Sequence, residues 1–209
     1  TGIEAFVLHQ SYGFPIELTM ELAKERSLVV NVAGFEAEKI KHQELSRQAS
    51  EQKFKGGLAD TGEMSIKYHT ATHLLHTALR QVLGVSALQK GSNITPERLR
   101  FDFSHPTKMT TEEIKIVEDL VNAAIIRDYK VSWQELPLEE AKKENAIGLF
   151  GDNYGTIVKV YTVGYSDGVF SRELCGGPHV QHTGILGQFK IIKEEAVSAG
   201  VRRIKAILV

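Results

Sequence analysis

The sequence predicts an α+β fold, an antiparallel or mixed sheet covered by helices and preceded by a small helical lobe. Three observations predict it. Two long stretches, Ser65 to Leu83 and Thr110 to Arg127, carry apolar residues at helical spacing. Leu99, Phe101 and Phe103 alternate with Arg100, Asp102 and Ser104, the period of a strand with one wet face. Further helical and extended stretches then follow without the regular βαβ rhythm of a parallel sheet.

Along the chain, Pro15 starts a helix through about Arg26, with Tyr12-Gly13-Phe14 as the turn before it. Leu28 to Val32 reads as short and extended. Gly34 breaks the chain ahead of a charged helix to about Lys55, whose sparse apolar residues suit a bridge between lobes rather than a core. Gly56-Gly57 and Asp60-Thr61-Gly62 punctuate a boundary, dividing a helical segment over 1–57 from a second domain over 58–209. In the second domain, Leu74, Leu75, Ala78, Leu79 and Val82 give the first helix its buried side, and Gly84 ends it. Thr110 and Glu113 form a capping box for the next. Strands are expected at Lys130–Glu135, Thr156–Val163, Gly187–Glu194 and Val201–Leu208, with a short helix near Leu138–Asn145.

With 209 residues, 42% hydrophobic and 24% charged, the chain can bury one good core or a core plus a smaller lobe, which excludes a disordered protein. No apolar run approaches membrane-spanning length. The start, Thr1-Gly2-Ile3, has neither an initiator Met nor a signal pattern, so an excised piece of a longer protein is expected. A single cysteine rules out an internal disulfide and suits a reducing cytosol, where a thiolate more often binds metal or acts in catalysis. A net charge of −1 means that any nucleic-acid partner is held by local basic patches.

The chemistry concentrates in two motifs, His69-Thr-Ala-Thr-His73 and Cys175-Gly-Gly-Pro-His179. Residues four apart on a helix share a face, so both imidazoles can reach one ion. Gly176 and Gly177 let the second pair approach without side-chain clashes. Histidines with one thiolate suit tetrahedral zinc. Spacing alone does not choose among the histidines, because His76 continues the first stripe and His182 follows His179 by three. Zinc proteases of the His-Glu-x-x-His type place Glu after the first histidine, where Thr70 stands, so that chemistry is excluded.

Several motifs in order, beginning with His69 to Leu83, then Gln89-Lys90-Gly91-Ser92, Leu99 to His105, Leu149-Phe-Gly-Asp152, Cys175-Gly-Gly-Pro-His179 and Ala199-Gly-Val-Arg-Arg-Ile204, resemble the editing domain of the alanyl-tRNA synthetase family. The lead-in, with Phe6, Tyr12 to Pro15, Leu18-Thr19 and Gly34-Phe35-Glu36, resembles the region that joins aminoacylation to editing in that family. The resemblance implies hydrolysis of seryl- or glycyl-tRNA for alanine at the tRNA acceptor end, in the cytoplasm, with zinc held by His69, His73, Cys175 and His179. His76 and His182 then take supporting roles.

The resemblance also places Gln89 in the site, as catalytic or substrate-binding, with Gly176 and Gly177 beside the substrate. On residues alone Gln89 is an ordinary polar loop residue. Pro178 departs from the Thr common in the family and removes a hydroxyl and an N–H from the ligand loop. No aminoacylation motifs of class II stand out, so this stretch alone is not expected to charge tRNA. Lys90, Arg98, Arg100, Lys190, Lys193, Arg202, Arg203 and Lys205 can contact phosphates if they share a face. A free-standing deacylase and a non-catalytic, zinc-stabilised tRNA-binding module are the alternatives.

Overall fold

The structure is a computed structural model that describes residues 1–12, 14–41, 58–148, 155–165 and 167–209. The chain divides into two units, Thr1–Gln52 and Lys53–Val209. The first holds α1 (Gly2–Tyr12), α2 (Ile16–Glu25) and α3 (residues 32–41). The expected break at Gly34 is instead the first turn of α3, because the Asn31 side chain accepts the Gly34 N–H at 2.9 Å and caps the helix. Of the expected extended stretch Leu28 to Val32, residues 28–31 have no regular structure and Val32 already belongs to α3. Glycine is required at position 2, where a Cβ would lie 2.5 Å from the Gly34 carbonyl carbon. The described part of the charged helix contributes to a core after all: Phe35 is buried against the rings of Phe6 and His9, with centroids 6.2 and 5.5 Å away. The rest of that expected helix and the Gly56-Gly57 boundary lie outside the described residues.

In the second unit α4 (Glu63–Leu83) is the axis. It ends where expected, at Gly84 with φ +93°. Its Leu74, Leu75, Ala78 and Leu79 are fully buried, each leucine stabilising by about 1.5–3 kcal/mol. The helix is enclosed on more than one side because two sheets form where one was expected. Both are antiparallel throughout. The first has the order β1-β2-β7-β6, from β1 (Gln89–Thr95), β2 (Arg98–Ser104), β6 (Phe189–Ser198) and β7 (Val201–Leu208). The second has the order β3-β4-β5, from β3 (Val131–Pro137), β4 (Ile157–Tyr165) and β5 (Gly168–Leu174). α4 packs against both sheets and against α5 (Thr111–Ile126).

Leu99, Phe101 and Phe103 of β2 meet α4 together with Ile204, Ala206 and Phe189. The capping box is present, with Thr110 accepting the Glu113 N–H at 3.1 Å and Glu113 accepting the Thr110 N–H at 2.7 Å. α5 then shields the edge strand β6 with its side chains. Asn122 donates to the Phe189 carbonyl at 2.9 Å and accepts its N–H at 2.8 Å, while Glu118 accepts the Ile191 N–H at 2.7 Å. The first residues of a sheet edge that could pair with another chain are thereby closed. A short helix, α6 (Leu138–Lys143), covers the far face of the second sheet over Val158 and Val160.

Two strands escape the sequence pattern for different reasons. β1 carries one buried side chain, Ile94, and owes its place to pairing with β2. β5 turns Ser171 and Glu173 inward. Its buried face is polar and reads as a wet one.

Candidate metal centre

α4 sets His69 and His73 one turn apart, and the segment after β5 brings Cys175 and His179 back to them. Their ligand atoms all lie within 4.8 Å of one another, with His69 buried and the other three half-buried. Among the described residues this is the group able to hold a metal ion. Neither His76 nor His182 belongs to it. Gly177 is buried in the ligand segment and Gly176 is exposed.

The hydrogen bonds fix how each ring is presented. His69 Nδ1–H donates to the Pro178 carbonyl at 2.9 Å, an acceptor that proline retains. His73 Nδ1–H donates to Glu173 Oε2 at 2.7 Å. Thr70 has one hydroxyl proton, directed to the Ile66 carbonyl at 3.3 Å, so its oxygen accepts from Val180 N–H at 3.2 Å and from His179 Nδ1–H at 3.1 Å. Each ring therefore turns its Nε2 toward the centre. His69 Nε2 stands 3.3 Å from Cys175 Sγ, and the buried Nε2 atoms of His73 and His179 have no hydrogen-bond partner. Buried polar nitrogens without partners are costly unless a ligand fills the space between them. Four such donors, with carboxylate, carbonyl and hydroxyl behind the rings, fit a borderline cation.

The electrostatics agree. Burial alone would push the Cys175 thiol up, but the charge on His73 and the three rings around the sulfur bring it down to about 2. Burial likewise opposes charge on His73, yet the Glu173 carboxylate and Cys175 hold its pKa well above the usual value. Burial, helped by the positive His73, lowers His179 to about 3. A lowered thiol and a His179 ring held neutral suit a divalent cation, which would displace the proton on His73 Nε2.

Glu173 and Thr70 were missed in the sequence. Glu173 also accepts from His76 Nδ1–H at 3.1 Å and from the Ser171 hydroxyl at 3.2 Å. The two histidines it serves outweigh burial and keep its carboxyl well below the usual range. One signal could have found it: Glu173 precedes Cys175 by two, so on an extended chain the two share a face. Thr70 registered only as the residue replacing a protease Glu. His182 lies elsewhere, with Nδ1 3.4 Å from the Asp128 carbonyl. Gln89 opens strand β1 rather than sitting in a loop, half-buried, with Nε2 donating to Ser92 Oγ at 3.2 Å. Leu149-Phe-Gly-Asp152 lies outside the described residues.

The basic residues divide between faces of the first sheet. Arg100 pairs in register with Lys205, and Lys205 with Lys193, while Arg203 pairs with Asp102 and Glu195. These lie opposite the Leu99–Phe103 face, together with Arg98. Arg203 is spent on a two-pronged bridge to Asp102 at 2.7 and 2.8 Å. Arg100 faces the same carboxylate, its Nε 3.8 Å from Asp102 Oδ1, and that buried Nε makes no hydrogen bond. Arg202 points to the other face, opposite Phe103, and is held by Glu194 at 2.5 and 2.8 Å.

Comparison with known proteins adds the following. The family model described as "Threonyl and Alanyl tRNA synthetase second additional domain" matches residues 158–205, and that described as "tRNA synthetases class II (A)" matches residues 1–102. The metal group draws two residues from each matched region. The chain is 60% identical over 207 residues to an alanine–tRNA ligase of Treponema denticola, covering 99% of this chain and 34% of that protein. It is 55% identical over 208 residues to that of Borrelia hermsii, covering 100% and 34%. Identity to an alanine–tRNA ligase of Thermus thermophilus is 57% over 141 residues, 66% of this chain and 16% of that protein. The chain spans about a third of the length of the curated relatives that match it throughout. No helix among the described residues is long and apolar enough to cross a membrane.

Proposed function

The chain belongs to the alanyl-tRNA synthetase family, and from that premise we propose that it hydrolyses seryl- and glycyl-tRNA for alanine and spares alanyl-tRNA. The observation that carries this reading is the convergence of three imidazole nitrogens and a cysteine sulfur within 4.8 Å. A synthetic pocket that accepts alanine cannot exclude glycine by size, and an apolar pocket rejects one extra hydroxyl by only about a hundredfold. A second, hydrolytic site removes the errors.

In this reading His69, His73, Cys175 and His179 hold zinc. The ion would anchor the ligand segment and orient the aminoacyl end. Gln89 recognises the substrate: its NH₂, engaged with Ser92 Oγ, sets the amide plane, and its carbonyl oxygen accepts from the serine hydroxyl. Alanine leaves that acceptor unpaired. The outer face, which carries Arg98, Arg100 and Lys205, suits the tRNA backbone.

Zinc-loaded protein is expected to release serine from seryl-tRNA and to favour it over alanyl-tRNA by about 10⁴. The rate should fall below that of an intact enzyme, since remote tRNA contacts contribute binding energy. Equal rates on the two esters overturn the reading. A four-ligand shell is typical of structural zinc and favours one second reading, a non-catalytic tRNA-binding module. In that case zinc-loaded protein binds tRNA and hydrolyses neither ester.

Gln89→Ala should keep its zinc and lose a neutral hydrogen bond worth about 0.5–1.5 kcal/mol. Single-turnover deacylation of the serine ester should slow roughly two- to tenfold, and that of the glycine ester hardly at all. Equal losses on both esters would place Gln89 at the water, the ester or the ribose instead.

A further inference from the structure

We propose that Trp133 is a stacking platform for the terminal nucleobase of the tRNA. The proposal rests on the reading of the metal centre as the place where the aminoacyl end is bound. It starts from the register of the second sheet. Trp133 on β3 lies opposite Tyr161 on β4, and Tyr161 lies opposite Glu173 on β5. The three side chains therefore occupy one row on one face, the face that carries the metal group. Neighbouring strands are about 4.8 Å apart, so Trp133 stands roughly 10 Å from the Glu173 position.

Two of the three are aromatic, and the row ends on the carboxylate behind His73. Tyr161 is buried and its ring centroid is 4.2 Å from that of His179. Trp133 is 56% exposed, an unusual position for the largest side chain in a protein. The Lys159 ammonium sits 3.9 Å from the Trp133 ring centroid and 4.9 Å from that of Tyr161. The Lys159 carbonyl also accepts the Cys175 N–H at 3.1 Å, so the strand under the platform is tied to the ligand segment. Glu135, opposite Lys159 in register, is the carboxylate bordering this patch.

An exposed indole with a cation over one face of its ring leaves its other face to a base, which matches a nucleotide better than a protein partner. A base offers a π-face to the ring, and its phosphate offers a charge to the ammonium. The ribose that bears the aminoacyl ester lies between base and amino acid. A base on Trp133 and an aminoacyl group at His179 thus place the ester over Tyr161. Such stacking tolerates any base, so it supplies binding rather than selection among amino acids.

Trp133 is the single tryptophan of the chain, and its fluorescence reports on this site alone. With zinc-loaded protein, the trinucleotide CCA should quench it saturably. In deacylation of seryl-tRNA, Trp133→Leu should raise KM about tenfold, within the range for loss of one stacked base. kcat and zinc content should stay unchanged, and Trp133→Phe should remain within about threefold of wild type. The proposal is overturned by absent quenching, or by a Leu variant that performs as well as the Phe variant. If wild-type protein fails to hydrolyse seryl-tRNA, the proposed function falls, and the quenching result still decides whether Trp133 binds a base.

Discussion

Zinc should fall from one ion per chain to none when Cys175 and His179 are both replaced by alanine, as measured by elemental analysis of protein purified without chelator. The expectation follows from how the group is built. His69 and His73 come from one rigid helix, while Cys175 and His179 arrive on a segment without regular structure. Removing the second pair takes away half the donors together with the thiolate, whose lowered pKa marks it as the charged ligand. Two neutral imidazoles alone bind zinc far more weakly than a set completed by a thiolate. Deacylation of seryl- and glycyl-tRNA should be lost together, because misplaced geometry does not distinguish the two esters. Full zinc retention in the double variant would remove the basis for the metal centre.

Glu173→Ala should weaken zinc binding by about 10–100-fold, the usual consequence of removing a carboxylate behind a metal-binding histidine. Competition with a chromogenic chelator measures it directly. Glu173 accepts from both His73 and His76, so its loss frees the His73 ring to rotate and strands two buried N–H groups. Without metal, breaking this buried pair should cost about 3 kcal/mol in thermal or denaturant unfolding. The sign with pH follows from the depressed carboxyl. Its contribution is complete above the unfolded value of about 4.3 and is lost as pH falls through that range toward the folded value. Glu173→Ala should flatten this acid limb. Unchanged zinc affinity in Glu173→Ala would mean that the His73 orientation is set by packing alone.

The two predictions differ in how visible their residues are in the sequence. Cys175 and His179 announce themselves by type and spacing. Glu173 sits on a strand that hydropathy hides, because the inward side chains of β5 are a serine and a glutamate. The pattern that finds strands assumes an apolar core face. Where the buried face serves a polar centre, that assumption inverts.

By itself the sequence determined what depends on neighbours a few residues apart. The span and end of α4, the capping box of α5, the alternation of β2, the run of β7 and the helical spacing of His69 and His73 are all of this kind. They need only helix or strand geometry and local hydrogen bonds. The tertiary structure decided what depends on residues far apart in the chain. Two sheets enclose α4 instead of one. Cys175 and His179 close on the α4 pair, while His76 turns to Glu173 and His182 to Asp128. Arg100 and Lys205 come to share a face, and Arg202 does not. Trp133, Tyr161 and Glu173 fall into one row. Such pairings are set by sheet register and by satisfying buried polar groups across the whole core, and neither leaves a periodic trace in the sequence.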